Sequence, residues 1–302
     1  MKRPGNTVYT HKGAQMILDG HIHTRKLIRH TEDLFPAFRK AGVDGGVVIS
    51  LPPEDFRAGY IKEPSMKRLE HVLALCEGKQ ELYPFFWVDP LEHDAAGQVR
   101  EAAARGIAGI KIICDRFAPG HEQAMQVYAA TAREELPILF HSGILWDGAP
   151  SSSNSRPAEF EPLLEVEGLR FSLAHISWPW CDECIAVYGK FLNSYTRRKN
   201  LTVEMFIDTT PGTPPVYRKE VLEKLFATGY DVQNNVIFGS DSYTDAYNAD
   251  WFGEWHARDT EIIRSMGMGQ EIIDRMFGRN LKRFLGIDSD QTVEKAPPKQ
   301  GE

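Results

Sequence analysis

Apolar residues fall along this chain in short continuous runs, separated by longer segments with helical periodicity, from residue 16 almost to its end. The first half holds the runs Met16–Asp19, Gly46–Ser50, Leu82–Val88 and Ile107–Ile113, and the second half Pro137–Phe140, Arg170–Ala174, Leu201–Ile207 and Asn235–Gly239. Their mean spacing of about 30 residues is what one strand, one crossover helix and two loops consume. Between them, Met66, Leu69, Val72, Leu73 and Cys76 form an i, i+3, i+4 stripe, and similar stripes run through 32–41, 95–104, 122–132 and 217–227. Eight βα units whose strands are apolar throughout rather than alternating imply strands buried on both faces, which favours a closed (β/α)₈ TIM barrel in a single α/β domain over a doubly wound open sheet. Neither G-x-G-x-x-G nor a P-loop follows a strand, so a nucleotide-binding open sheet loses its usual support.

The expected organisation is an N-terminal extension over 1–15, a barrel over 16–287 and a disordered tail over 288–302. The irregular stretch Gly148–Pro157 after the fifth strand reads as a mobile active-site loop. A net charge of -7 argues against nucleic-acid phosphates or an anionic membrane as partners, and Arg197-Arg198-Lys199, the only compact basic run, reads as a solvated helix end. The start of the chain lacks the apolar region of a signal peptide, no stretch approaches a membrane span, and four scattered cysteines make no disulfide framework, so the expected compartment is the reducing cytoplasm. A homodimer is left open by the sequence.

In a barrel, chemistry belongs at the C-terminal ends of the strands. His21 and His23 sit there in Asp19-Gly-His-Ile-His23, two residues apart and so on one face of the first strand; His141 ends the fifth strand, His175 the sixth, and Asp241 follows the eighth. Lys111 lies in the fourth strand. Any one of these histidines alone reads best as a satisfied core residue. Four imidazoles, a carboxylate and a lysine converging in one apolar mouth would be costly to bury without a cation, whereas N and O donors are what a catalytic divalent metal requires.

At these positions the sequence resembles the amidohydrolase superfamily of metal-dependent barrel hydrolases, in the amidohydrolase-related branch that also holds decarboxylases similar to aminocarboxymuconate-semialdehyde decarboxylase. The resemblance covers about residues 16 to 287, through Asp19-Gly-His-Ile-His, Gly-Ile-Lys111, His141-Ser-Gly, Ala-His175-Ile-Ser, Gly-Ser-Asp241-Ser and Met276-Phe-Gly-Arg-Asn-Leu-Lys-Arg-Phe-Leu-Gly286. It implies His21, His23 and Asp241 as ligands of one metal and His141 as a further ligand. His175 would be a second-metal ligand or an acid/base or substrate-polarising group. Lys111 matches the position of a carboxylated bridging lysine in two-metal members; unmodified, it would hold an anionic substrate. One metal is favoured over two, because a bridged pair needs that modification, with zinc the leading cation and manganese the alternative. The implied reaction is hydrolysis of an amide, lactone or other ester by water whose pKa the metal lowers to about 7, with Asp241 moving the proton and His175 at the oxyanion. Metal-assisted decarboxylation of a small carboxylic acid is the alternative, and a non-catalytic barrel subunit the second.

Around this set, Arg25 and Arg116 are candidate clamps for a substrate carboxylate, against the commoner reading of exposed arginines without a role. Trp146, Trp178, Trp180, Trp251 and Trp255 follow strands five, six and eight; Trp146 and Trp178 are the candidate substrate walls, with loop packing an equal reading. Asp89 and Asp208 would either orient metal-ligating imidazoles or cap the next helices. Cys181 and Cys184 have C-x-x-C spacing but no second pair, and read as incidental cysteines at a helix start.

Overall fold

A computed structural model of the protein describes residues 16–28, 34–56, 61–197 and 202–287. The expected extension over 1–15, the tail over 288–302, and Arg198 and Lys199 of the basic run lie outside the described residues.

The strands are β1 (Leu18–His23), β2 (Gly45–Ile49), β3 (Leu82–Trp87), β4 (Gly109–Ile112), β5 (Ile138–Phe140), β6 (Arg170–Leu173), β7 (Glu204–Asp208), β8 (Val236–Ile237) and β9 (Ser242–Tyr243). All pair in parallel in the order β8-β7-β6-β5-β4-β3-β2-β1-β9. The ends of that order meet. Between β8 and β9 the chain still bonds to β1, from Gly20 N to Phe238 O and from Asp241 N to His21 O, each at 2.9 Å. The eighth barrel position is therefore one interrupted strand, and the short β9 that the sequence pattern does not announce closes the barrel.

Helices α1 (Leu34–Ala41), α2 (Ser65–Cys76), α3 (Ala95–Ala104), α4 (Glu122–Arg133), α5 (Cys181–Arg197), α6 (Pro215–Ala227) and α7 (Ala249–Ser265) alternate with the strands. At the end, α8 (Gln270–Asp274) passes through a π-helical turn (Arg275–Arg279) into α9 (Asn280–Leu285). The stripe of α2 is turned from the expected one: Met66 is 40% exposed, while Arg68 is buried and donates to the Trp87 carbonyl at 2.6 Å. A guanidinium with a carbonyl to satisfy takes the inward place that periodicity assigns to an apolar side chain. The expected loop over 148–157 also differs, because it folds into 3₁₀ turns over Ser152–Ser155 and then Pro157–Glu165. Ser142 Oγ and Gly143 N both donate to the Ser155 carbonyl, which ties this segment to the end of β5.

Alternating strand residues divide the core in two. Val48, Phe86, Ile110, Ile112, Ile138 and Phe140 face the helices, whereas Val47, Ile49, Phe85, Trp87 and Leu139 fill the barrel. Lys111, between Ile110 and Ile112, therefore points inward. The floor is closed by α9: Phe284 is 1% exposed and its ring lies 5.1 Å from that of Phe206 and 6.4 Å from that of Phe85. Truncating such a plug to alanine costs about 3–5 kcal/mol. With the floor filled, the only end at which the inward-facing polar residues can meet a ligand is the opposite one. Among the described residues no helix is long and apolar enough to cross a membrane.

Candidate metal centre

The centre is assembled where β1 meets the closing strand. His21 and His23 share a face, and Nε2 of one lies 3.0 Å from Nε2 of the other. Asp241 Oδ1 stands 3.4 Å from His23 Nε2 and 3.8 Å from His21 Nε2. The strands come this close because position 239 is glycine: a Cβ there would fall 2.4 Å from that of His21. Asp241 holds a left-handed backbone, φ 59°, unusual for a residue other than glycine and paid for by its backbone bond to the His21 carbonyl.

Buried carboxylates fix the geometry. Asp208, at the end of β7, lies 2.8 Å from His21 Nδ1. An aspartate accepts, so Nδ1 carries the proton and the His21 Nε2 lone pair is left facing the cluster. Asp208 is in turn held by the backbone N–H of Thr210 at 2.7 Å. Asp19 accepts from His21 N at 3.0 Å, from Ser240 N at 2.9 Å and from the Tyr247 hydroxyl at 2.9 Å, and so clamps β1 to the loop that carries Asp241.

Three further groups surround the cluster. The ring of His175 lies 5.6 Å from that of His21 and 5.0 Å from that of His141. His175 opens a run with Ile176 and Ser177 at φ 62°, 45° and 59°, and it lies against Gly212, where a Cβ would approach its own to 2.7 Å. Lys111 is 1% exposed, and neither its Nζ nor His141 Nε2 has a hydrogen-bond partner among the described residues. Burial holds the imidazoles of His21, His23 and His141 well below their ordinary pKa and pushes His175 down to about 4, so all four are neutral at pH 7. Burial also pushes the Asp241 carboxyl up, opposed by Lys111, and the Lys111 ammonium down, opposed by Asp241 and Asp208. The Asp241 side chain is nevertheless 40% open, toward a cavity of about 570 Å³ that His23, Lys111, His141 and His175 also line.

These residues fit a divalent cation. His21, His23 and Asp241 each present one donor atom, all within 4.8 Å of one another. Neutral imidazole nitrogens with a carboxylate oxygen are the donor set of zinc and of manganese. The orphaned Nε2 of His141, buried in the same wall, is available as a further donor.

The Amidohydrolase family model matches residues 65–287. The chain belongs to the amidohydrolase family. Comparison with curated proteins by sequence finds no match. Among solved structures, the amidohydrolase is similar to 2,6-dihydroxybenzoate decarboxylase from Rhizobium, at 12% identity and a TM-score of 0.62 over 91% of this chain and 100% of that one. It is similar to 5-carboxyvanillate decarboxylase from Novosphingobium aromaticivorans, a structure with bound manganese, at 10% identity and 0.60 over 90% and 97%. A probable 2-pyrone-4,6-dicarboxylic acid hydrolase from Acinetobacter baumannii, with citric acid bound, follows at 11% identity and 0.58 over 89% and 99%. These likenesses establish the barrel fold.

The remaining residues singled out in the sequence divide. In this amidohydrolase Arg25 lies on the cavity wall, but its guanidinium pairs with Asp245 at 3.0 Å and covers the Tyr243 ring at 4.4 Å. Arg116 is not among the residues lining the cavity; Asp89 and Asp55 hold it. Among the described residues Asp89 bonds to Leu91 N and Arg116 rather than to an imidazole, so of the two candidate orienting carboxylates Asp208 is the one on a histidine. Trp146, 89% exposed, and Trp178, stacked on Tyr217 at 4.7 Å, line the cavity. Trp180 lies under Arg156, Trp251 donates to the Ser240 carbonyl, and Trp255 is buried beside Arg218, so these three are packing residues. Cys181 and Cys184 are free, buried thiols at the start of α5. Sequence reasoning missed Trp87, whose ring stands 5.6 Å from that of His23, and Phe56, packed on Trp87 at 4.7 Å. The inward register of β3 was a usable signal for Trp87. For Asp19 the signal was its place two residues before His21.

Proposed function

We propose that the protein is a metal-dependent hydrolase of a small organic substrate carrying a carboxylate, acting on an amide, lactone or other ester bond. The observation that carries this reading is the convergence of His21, His23 and Asp241 donors within 4.8 Å beside a cavity to which Asp241 is open. His21, His23 and Asp241 would hold the cation, with His141 as a further donor; zinc suits such a shell with an open position, and manganese is the alternative. When bound, the cation would supply Lewis acidity and make water acidic enough to react at neutral pH.

The chain's own groups supply the rest. Asp241 takes a proton from the attacking water and returns it to the leaving group. His175, neutral at pH 7, donates its N–H to the oxygen on which charge develops. Lys111, buried and without a hydrogen-bond partner among the described residues, receives the substrate carboxylate. Trp87, Phe56 and Trp178 give the cavity flat apolar walls that exclude water from a bound ring.

Decarboxylation of a small, flat carboxylic acid is the second reading, favoured by the same lysine and aromatic walls. Turnover in ¹⁸O-labelled water separates the two, using lactones, amides and aromatic carboxylic acids as substrates. Label entering the product supports hydrolysis. Carbon dioxide release without label in the organic product replaces it with decarboxylation, and no turnover by metal-replete protein over the whole panel counts against both.

A further inference from the structure

Among the described residues, the cavity carries a charged atom without a hydrogen-bond partner in two separate places. One is Lys111 Nζ, in β4. The other is Asp147 Oδ2, on the segment beyond β5, buried and unpaired although the side chain lines the cavity. Asp147 is held in position by its other oxygen, which accepts from Ala149 N at 3.0 Å. Among the described residues no ion pair completes it. Asp115, beyond β4, has a side chain only 6% exposed and also keeps Oδ2 unpaired. Arg116 lies 3.8 Å from Asp115 and is shared with Asp55 and Asp89, outside the cavity lining.

A buried acceptor with no donor loses the hydration it had in the unfolded chain and gains nothing in return. A ligand that brings the donor removes that cost. We propose that Asp147 is the specificity residue of the cavity, selecting substrates that carry a hydrogen-bond donor, an ammonium or a hydroxyl, away from the carboxylate that Lys111 receives. The proposal rests on the reading of Lys111 given above and adds a second recognition point: the preferred substrate is bipolar, with an anion at Lys111 and a donor at Asp147.

The test is calorimetric binding of three benzoate series to metal-replete protein: the toluates, hydroxymethylbenzoates and aminomethylbenzoates, each as ortho, meta and para isomers. In at least one isomer the hydroxymethyl or aminomethyl compound is expected to bind about tenfold or more tighter than the matching toluate. Asp147→Ala is expected to abolish that preference and leave the Kd of the toluate unchanged, which also shows that the variant is folded. Asp147→Asn distinguishes the donors, since it removes the preference for ammonium and retains that for hydroxyl. Toluates that bind while no isomer shows a donor preference, or a preference that survives Asp147→Ala, overturn the assignment of Asp147 and leave the Lys111 reading standing. If no benzoate binds, or if Lys111→Met leaves toluate binding unchanged, the carboxylate reading falls and this proposal with it.

Discussion

Asp208 Oδ2 and His21 Nδ1 lie 2.8 Å apart, both fully buried, although 187 residues separate them in the chain. The bond fixes which imidazole nitrogen faces the cluster, and it does so from the far side of the barrel closure. Asp208→Asn presents an amide that can donate and favours the other tautomer, turning an N–H toward the cluster in place of a lone pair. Affinity for zinc is expected to fall by about 10–100-fold. Competition with a chromophoric chelator measures it, and an unchanged constant would show that Asp208 has no part in setting the tautomer.

His21→Ala removes a donor atom outright, and Asp241→Asn replaces a charged carboxylate ligand by a weak neutral amide oxygen. Each variant is expected to purify with less than a tenth of the wild-type metal per chain, a drop of more than about 1.4 kcal/mol in binding free energy at limiting metal. Elemental analysis of dialysed protein reads this directly; full occupancy in both variants refutes the ligand assignment.

Arg218 and Asp259, both 0% exposed, form an ion pair under α6 and α7, with Arg218 Nε donating to Asp259 Oδ1 at 2.9 Å and Nη2 to the Thr209 carbonyl at 2.7 Å. Removing one partner leaves the other charge buried and alone. Arg218→Met or Asp259→Leu singly is expected to destabilise the fold by about 3–5 kcal/mol, and the double variant to recover most of that. Urea denaturation of the three proteins tests the coupling, and strict additivity would contradict it.

The four cysteines are all buried, and burial pushes the thiol of Cys181 up to about 11, those of Cys76 and Cys184 up to about 12, and that of Cys114 up as well. The thiolate is the reactive form, and a raised pKa keeps the thiol protonated through neutral and mildly alkaline pH. Native protein at pH 8 is expected to leave Ellman's reagent colourless over minutes and to release four equivalents in urea. Rapid reaction of Cys181 or Cys184 in the native state would reopen a redox reading of their spacing.

The barrel was legible because its strands are apolar on both faces, and the order of His21, His23, Lys111, His141, His175 and Asp241 at strand ends follows from that rhythm. Three features were not legible, each for its own physical reason. The closing strand is two residues long, too short to show any period. Arg68 occupies an apolar position because a carbonyl in β3 calls for a donor, a requirement that lies outside α2. The tryptophans were placed by the strand they follow, yet Trp251 and Trp255 lie inside α7, and only packing decides which rings face the cavity.

Closure through β9 carries a consequence for how the protein is made. His21 and His23 leave the ribosome more than 200 residues before Asp241 and the strand that holds it against them. The nascent chain therefore carries these two imidazoles through that stretch without the Asp241 carboxylate, and the three-donor cluster appears only when the two ends of the sheet are joined. Retention of the proposed cation would then report a finished molecule: fragments ending before β8, and misfolded chains left open at that seam, would lack the carboxylate needed to hold it tightly, whatever local structure they have gained.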